Sequence, residues 1–246
     1  MSPSSTSPAL PHPFAWREGH IAADLEDGHV LFTTRHGGVS TGPYASLNLG
    51  VNTDDDAEHT VENRQRLELT VGARLALGRQ VHEAHVDRAA QPGHAGDADG
   101  QATTAPGLAC TVLTADCLPV ALVAPGSVAM LHAGWRGLVA GVLEHGIDAL
   151  SGQGEITALI GPGAHRCCYQ VGDEVRTAFA DEDPVIHAGA NLDLPLIAER
   201  RLRRHGVAQV HATGLCTVCH PDLFFSHRRD RGVTGRQAGV AWRRRA

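Results

Sequence analysis

The chain has no lysine: all 21 of its basic residues are arginine. That excludes Schiff-base chemistry on a lysine amine and any phosphate loop built around one. Long apolar runs are missing too, since none approaches the roughly 18 residues a membrane helix requires. There is no basic surplus, and a formal net charge of -6 argues against nucleic-acid binding, which ordinarily needs one. The opening residues, MSPSSTSPALPHP, show neither the basic n-region nor the apolar h-region of a secretory signal. They are expected to form a disordered tail over residues 1–13, followed by a single domain over 14–246. The expectation is a cytoplasmic monomer without nucleic-acid or membrane partners.

What is present gathers in one stretch, Thr111 to Gly137, read as TVLTADCLPVALVAPGSVAMLHAGWRG. The runs TVLTA, PVALVA and SVAML are bounded by turn signals and predict short buried strands. Each gives way to chemically capable residues: Asp116 and Cys117, then His132, then Trp135 and Arg136. A rigid sheet fixes side chains at strand ends, which is where function concentrates. A thiol and an imidazole on neighbouring strands can meet in space.

Elsewhere, His29–Arg35 predicts a strand, followed by a glycine-rich loop through Gly50. Asp54–Asp56 predicts a helix start running to about Val71, because acidic residues in a first turn suit the helix dipole. Gly78–Val86 alternates like a strand with His82 on one face. Gln91–Pro106, rich in Gly, Ala and Asp, reads as an exposed loop. Trp135–Leu150 shows apolar residues at helical spacing, weakened by internal glycine. Ile156–Ile160 predicts a strand, Asp173 opens a helix, and Asp193 with Pro195 starts another to about His205. Val207–Thr213 and Gly239–Trp242 predict strands.

Six cysteines (Cys110, Cys117, Cys167, Cys168, Cys216 and Cys219) in a chain expected in the cytosol indicate thiols rather than disulfides. A lone Cys or His at a strand end is more often structural than functional; three together shift the balance. His82, Cys117 and His132 offer two imidazoles and a thiolate, a donor set suited to zinc or copper. Three protein ligands would leave a fourth position for water or substrate. The same atoms permit another chemistry, with Cys117 as nucleophile and His132 as its base. CTVCH at Cys216–His220 matches a haem-attachment string, but without an export signal its thiols read as buried packing residues. Cys167 and Cys168 should diverge in an extended segment and carry no joint role. Arg35, Arg64, Arg136, Arg228 and Arg229 are candidate anion binders, because planar guanidinium pairs with phosphate. Arg136, beside Gly134 and Gly137, stands first, with Arg35 and Arg64 behind it.

The segments FTTRHGGVSTGPYASLNLG, VENRQRL, QVHEAHV, LTADCLPVALV, LHAGWRG, IGPGAHRCCYQVGDEV, CTVCHPDLFFSHRRD and TGRQAGVAW run in that order from Phe32 to Trp242. Together they resemble the laccase-domain family, first called multicopper polyphenol oxidases and now regarded as purine nucleoside phosphorylases. The resemblance implies an α/β fold of two packed mixed sheets with helices outside, distinct from the cupredoxin laccases. It implies a metal site at His82, Cys117 and His132, holding zinc or copper. It also implies phosphorolysis of adenosine, inosine and methylthioadenosine, with deamination of adenosine. Phenol oxidation by copper and hydrolysis of cell-wall precursors by a cysteine nucleophile are the other activities attributed to the family. A multicopper oxidase needs many more histidine ligands around several coppers, and the sequence does not assemble them.

The resulting site reading gives Cys117, His132 and Arg136 catalytic roles, and assigns nucleoside and phosphate to Arg35, Asn48, Arg64 and Asp116, the last also as an orienter of a metal ligand. Two positions depart from the family pattern. Glu83 follows His82 where glycine is usual, and Gln170 stands where glutamate is common. An amide cannot exchange the proton that a catalytic carboxylate would.

Overall fold

The apolar runs of the central stretch do become strands, at Leu108–Thr114, Leu118–Ala124 and Ser127–Ala133, buried along nearly their whole length. Continuous burial rather than alternation means that both faces of these strands are covered. The computed structural model describes residues 7–150, 154–182 and 186–243. Residues 1–6 of the expected tail, and Arg244 and Arg245, lie outside that range.

In chain order the first elements are β1 (Ala15–Arg17), β2 (His20–Asp24), β3 (Gly28–Phe32), α1 (Ala57–Val71), β4 (Arg74–Arg79) and β5 (Val86–Arg88). Next come β6 (Gly93–Asp97), β7 (Gly100–Thr103), β8 (Leu108–Thr114), β9 (Leu118–Ala124), β10 (Ser127–Ala133), α2 (Trp135–Ala140) and α3 (Val142–Ala149). The last are β11 (Thr157–Ile160), α4 (Asp173–Ala178), β12 (His187–Ala188), β13 (Asn191–Leu192), α5 (Leu194–Arg204), β14 (Gln209–Ala212) and β15 (Gln237–Arg243).

Seven strands form one mixed sheet in the order β1-β2-β3-β15-β8-β4-β6, and six form a second, β14-β11-β9-β10-β7-β5. Their inner faces meet where Phe32, Cys110 and Val112 lie in one core with Val128, Met130 and Leu159. On the outer face of the first sheet, Leu67 and Val71 of α1 cluster with Leu75 and Val240. On the outer face of the second, Leu138, Leu143 and Ile197 from α2, α3 and α5 cluster with Val120, Leu122 and Leu131. The layers run helix, sheet, sheet, helix, which is the two-sheet fold expected and not a cupredoxin-like barrel.

Helix ends follow their capping residues. The Asp56 side chain accepts the Glu58 N–H at 2.8 Å and starts α1, and Gly72 at φ 64° stops it. Asp193 accepts the Leu196 N–H at 3.2 Å and starts α5. The helix predicted over Trp135–Leu150 is two helices, divided at Gly141 with φ 91°. Gly146 stays inside α3 because a Cβ there would come within 2.3 Å of Leu131 Cδ1.

Two expectations about strands and loops fail here. Gly78–Val86 is not one strand: β4 ends at Arg79, and the chain bends through His82 at φ 63°. Gln91–Pro106 is not an exposed loop either, because it contains β6 and the fully buried β7. Small residues hide β7 from any hydropathy signal while fitting it beside β10. A Cβ at Gly100 would approach Leu131 Cδ2 to 2.6 Å. Upstream, ordered contacts begin before Phe14, since Trp16 Nε1 donates to the Pro8 carbonyl at 2.8 Å and Leu10 packs on the inter-sheet core.

Candidate metal centre

The β9–β10 hairpin brings two candidate ligands to one end of the second sheet. Leu118 pairs with Ala133, and His132 pairs with Pro119, so Cys117 emerges beside Gly134. A Cβ on Gly134 would sit 2.9 Å from the Cys117 sulfur and 3.5 Å from His82 Cδ2, so glycine leaves the room that the centre occupies. The bend after β4 supplies His82. The ligand atoms of His82, Cys117 and His132 all lie within 4.8 Å of one another. The two imidazole rings stand 4.9 Å apart at 76°.

Asp99 organises this set, and no sequence signal pointed to it. It lies in an Ala-, Gly- and Asp-rich run and is fully buried. One carboxylate oxygen is 2.8 Å from His132 Nδ1, and the Asp99 carbonyl accepts the His132 N–H at 2.7 Å. The same carboxylate accepts the Val81, His82 and Glu83 amides at 3.0, 3.0 and 2.8 Å. One residue thus aims His132 and shapes the bend that carries His82. With Nδ1–H donated to Asp99, His132 keeps Nε2 for a metal, the arrangement that fixes an imidazole ligand. Burial raises the Asp99 pKa, but His132 and the Glu83 and Val81 amides hold it below the ordinary carboxylate range. Burial also raises the Cys117 thiol; His132 and His82 outweigh it and bring the thiol to about 6. His132, lowered by burial, is carried to about 9 by Cys117 and Asp99. Each group thus favours the charged form of the other, thiolate beside imidazolium. With metal, a thiolate and two imidazoles fit a three-ligand zinc site with an open position.

Asp116 immediately precedes Cys117, with φ 99°. Its carboxylate accepts the Thr217 hydroxyl and the Arg228 N–H, both at 2.7 Å. Those bonds hold a left-handed backbone that would otherwise be strained for a residue with a Cβ. Asn48 is fully buried and spends its amide on Thr53, Asp55 and the Gly50 and Arg236 N–H groups. Arg35 donates to the Ala45 and Pro221 carbonyls and stacks over Phe225 at 4.7 Å. Arg64 donates to the Leu49 carbonyl, meets His94 at 3.0 Å, and keeps a buried Nη2 without a partner among the described residues. Arg136 is exposed, stacks over Trp135 at 4.3 Å and has Glu174 at 3.9 Å.

Arg229 makes a two-armed pair with Asp230. Arg228 stacks over Tyr169 at 4.6 Å and donates to the Gln170 carbonyl. Two more residues near the centre carried no assignment from sequence. Burial raises the Tyr169 phenol, Cys117 adds to it, and the group lies at about 12. Burial lowers the Arg236 guanidinium, opposed by Asp116 and Cys117. Arg236 lay inside a family segment, TGRQAGVAW, whose register alone could have singled it out. At the first departure, the left-handed residue of the bend is His82 and not Glu83, so the turn does not need a glycine at position 83.

An αββα-layered chain with a nitrogen–sulfur–nitrogen donor set at the end of an inner hairpin, placed where it could hold a metal ion, is as a class a protein of laccase-like type. It belongs to the family described as multi-copper polyphenol oxidoreductase laccase, whose profile matches residues 29–244. The chain is 43% identical over 223 residues to a purine nucleoside phosphorylase of Pseudomonas aeruginosa, covering 85% of this chain and 91% of that one. It is 40% identical to the purine nucleoside phosphorylase YfiH of Escherichia coli K12, with the same coverages. A crystal structure of a Neisseria meningitidis protein superposes with a TM-score of 0.84 at 37% identity, over 92% of this chain and 99% of that one.

Proposed function

We propose that this chain is a cytoplasmic, zinc-dependent purine nucleoside phosphorylase that cleaves adenosine, inosine and methylthioadenosine with phosphate and also deaminates adenosine, acting as a monomer. What carries this reading is the 43% identity over 223 residues to a relative named for phosphorylase activity. The His82, Cys117 and His132 donor set supports its metal dependence. When bound, zinc supplies Lewis-acid activation. The copper-dependent oxidase reading is less well supported: a multicopper centre needs several histidine groups, and among the described residues the two candidate clusters contain only two histidines between them.

The chain's own residues supply orientation and charge. Asp99 holds His132 in one tautomer, and Gly134 leaves space beside Cys117. Arg136, solvent-facing and steadied by Trp135, is available to pair with phosphate. In phosphorolysis a phosphate oxygen bonds ribose C1′ as the bond to the purine nitrogen breaks, and the purine leaves with a proton. Deamination adds water at C6 and releases ammonia.

One experiment tests this reading. Metal-analysed protein is incubated with adenosine, with and without phosphate, and products are separated by chromatography. Adenine and ribose 1-phosphate formed only with phosphate, and lost in His82→Ala, is the expected result. Unchanged turnover and metal content in His82→Ala overturns the metal-centred reading.

A second reading has its own observation. Cys117, His132 and Asp99 follow the order nucleophile, base and orienter of a cysteine hydrolase, with the thiol already at about 6. Fast alkylation of Cys117 in metal-free protein, with loss of activity in step and no metal requirement, favours that reading.

A further inference from the structure

Outside the His82 centre, four thiols converge. β11 and β14 are parallel neighbours, with Ile160 opposite Ala212, so the loops that leave their C-terminal ends run together. Gly163 bridges to Cys216, and the Thr217 N–H donates to the Gly163 carbonyl at 2.9 Å. One loop carries Cys167 and Cys168, the other Cys216 and Cys219. The expectation that Cys167 and Cys168 diverge does not hold, because residues 166–168 form a turn rather than an extended segment. The Cys168 and Tyr169 N–H groups both donate back to the His165 carbonyl, at 2.9 and 2.8 Å. The four sulfurs lie within 4.8 Å of one another, with Cys219 3.5 Å from Cys167 and 3.2 Å from Cys168.

Packing does not explain the cluster. Cys216 is buried, but Cys167 and Cys219 are exposed, so the reading of Cys216 and Cys219 as buried packing thiols fails at Cys219. Disulfide bonding does not describe it either, since a bond needs sulfurs about 2.05 Å apart. A tetrahedral zinc with Zn–S bonds of about 2.3 Å places its sulfurs about 3.8 Å apart, which is the scale observed. An iron–sulfur cluster interposes inorganic sulfide and several irons between its thiolates, and this cage has room for one ion. Cys-x-x-Cys is itself a common half of a structural zinc site.

We propose that Cys167, Cys168, Cys216 and Cys219 form a second, closed metal site that binds a single zinc ion and clamps the β11 and β14 loops together. Four protein ligands leave no open position, so this site is structural. Its position gives it a task. The Thr217 hydroxyl, between Cys216 and Cys219, bonds Asp116, and Arg229 donates to the Thr217 carbonyl at 2.9 Å. Arg228, which bonds Asp116 through its N–H, also reaches the Gln170 carbonyl and stacks over Tyr169 on the other loop. The clamp fixes both loops that hold the backbone ahead of Cys117.

The test is zinc stoichiometry of the full chain, prepared under reducing conditions and measured by native mass spectrometry and elemental analysis. The His82→Ala, His132→Ala double variant is expected to retain about one zinc per chain. On cobalt substitution it should show the intense visible absorption of a tetrahedral thiolate site. Adding Cys167→Ser and Cys219→Ser, both at exposed positions, should remove that ion and that spectrum. In the unmodified protein, zinc should slow alkylation of Cys219 at least about tenfold relative to chelator-treated protein, a readout that does not depend on any variant folding. Equal zinc content with and without the Cys→Ser changes overturns the proposal. So does Cys219 alkylation indifferent to zinc, or recovery of these cysteines as disulfides or with iron.

Discussion

Asp99 carries more of the centre than its single position suggests, because its carboxylate faces a ligand on one side and three backbone amides on the other. Replacing it with asparagine keeps the size but removes the charge that His132 and the amides share. Loss of such an orienting partner lowers metal affinity about 10- to 100-fold. Asp99→Asn should show that loss in competition against a chromophoric chelator, with circular dichroism unchanged. Gly134 makes a separate prediction. Its alanine variant places a methyl 2.9 Å from the Cys117 sulfur, so zinc affinity should fall while the hairpin stays folded, and cobalt spectra should report the distorted thiolate. The candidate ligands were legible because His82, Cys117 and His132 are chemically distinctive and sit at strand ends or bends. Asp99 was not, because an aspartate among Ala and Gly looks like surface until β7 is known to pair with β10.

At the scale of elements, His20 at the start of β2 gives a pH signature. Its imidazole is buried and accepts the Thr34 N–H at 3.1 Å through Nδ1. Burial, with His36 adding to it, lowers the group from 6.5 to about 4. The unfolded chain therefore binds this proton before the folded one does. Stability is fully present above pH 6.5 and is lost as pH falls towards 4, by about 3 kcal/mol in order of magnitude. Urea midpoints across that range should fall for the native sequence and fall less for His20→Asn, which retains an acceptor near Nδ1 but does not titrate. The cap of α1 should respond more simply: Asp56→Ala removes one bond to a helix-start amide and should cost about 1 kcal/mol in the same assay. Elements with a capping residue or a continuous apolar run, such as α1, α5 and β9, were readable in advance. β6 and β7 were not, because GHAGD and GQAT carry no hydrophobic period and are strands only through their partners.

Across the whole molecule, strand order and chain order disagree most at β15. It lies in the interior of the seven-stranded sheet, between β3 and β8, although it is the last strand in sequence among the described residues. A chain ending at Gly235 should therefore lose the inter-sheet core as well as one strand. Such a variant should bind hydrophobic dyes and lose near-ultraviolet circular dichroism, where a dispensable edge strand would leave both unchanged. The layer order was legible through the family resemblance rather than through periodicity, because no local pattern reports which strands become neighbours.

That placement of β15 also sets the order in which the protein can be made. On the ribosome, β1–β3 and β8 with β4 can form only as separate flaps of one sheet. The seam between them stays open until residues 237–243 have left the exit tunnel. Throughout that time two unpaired strand edges face solvent and each other. Until β15 emerges the nascent chain is exposed to chaperones and to mispairing, and a ribosome stalled before that point would hold it in that condition.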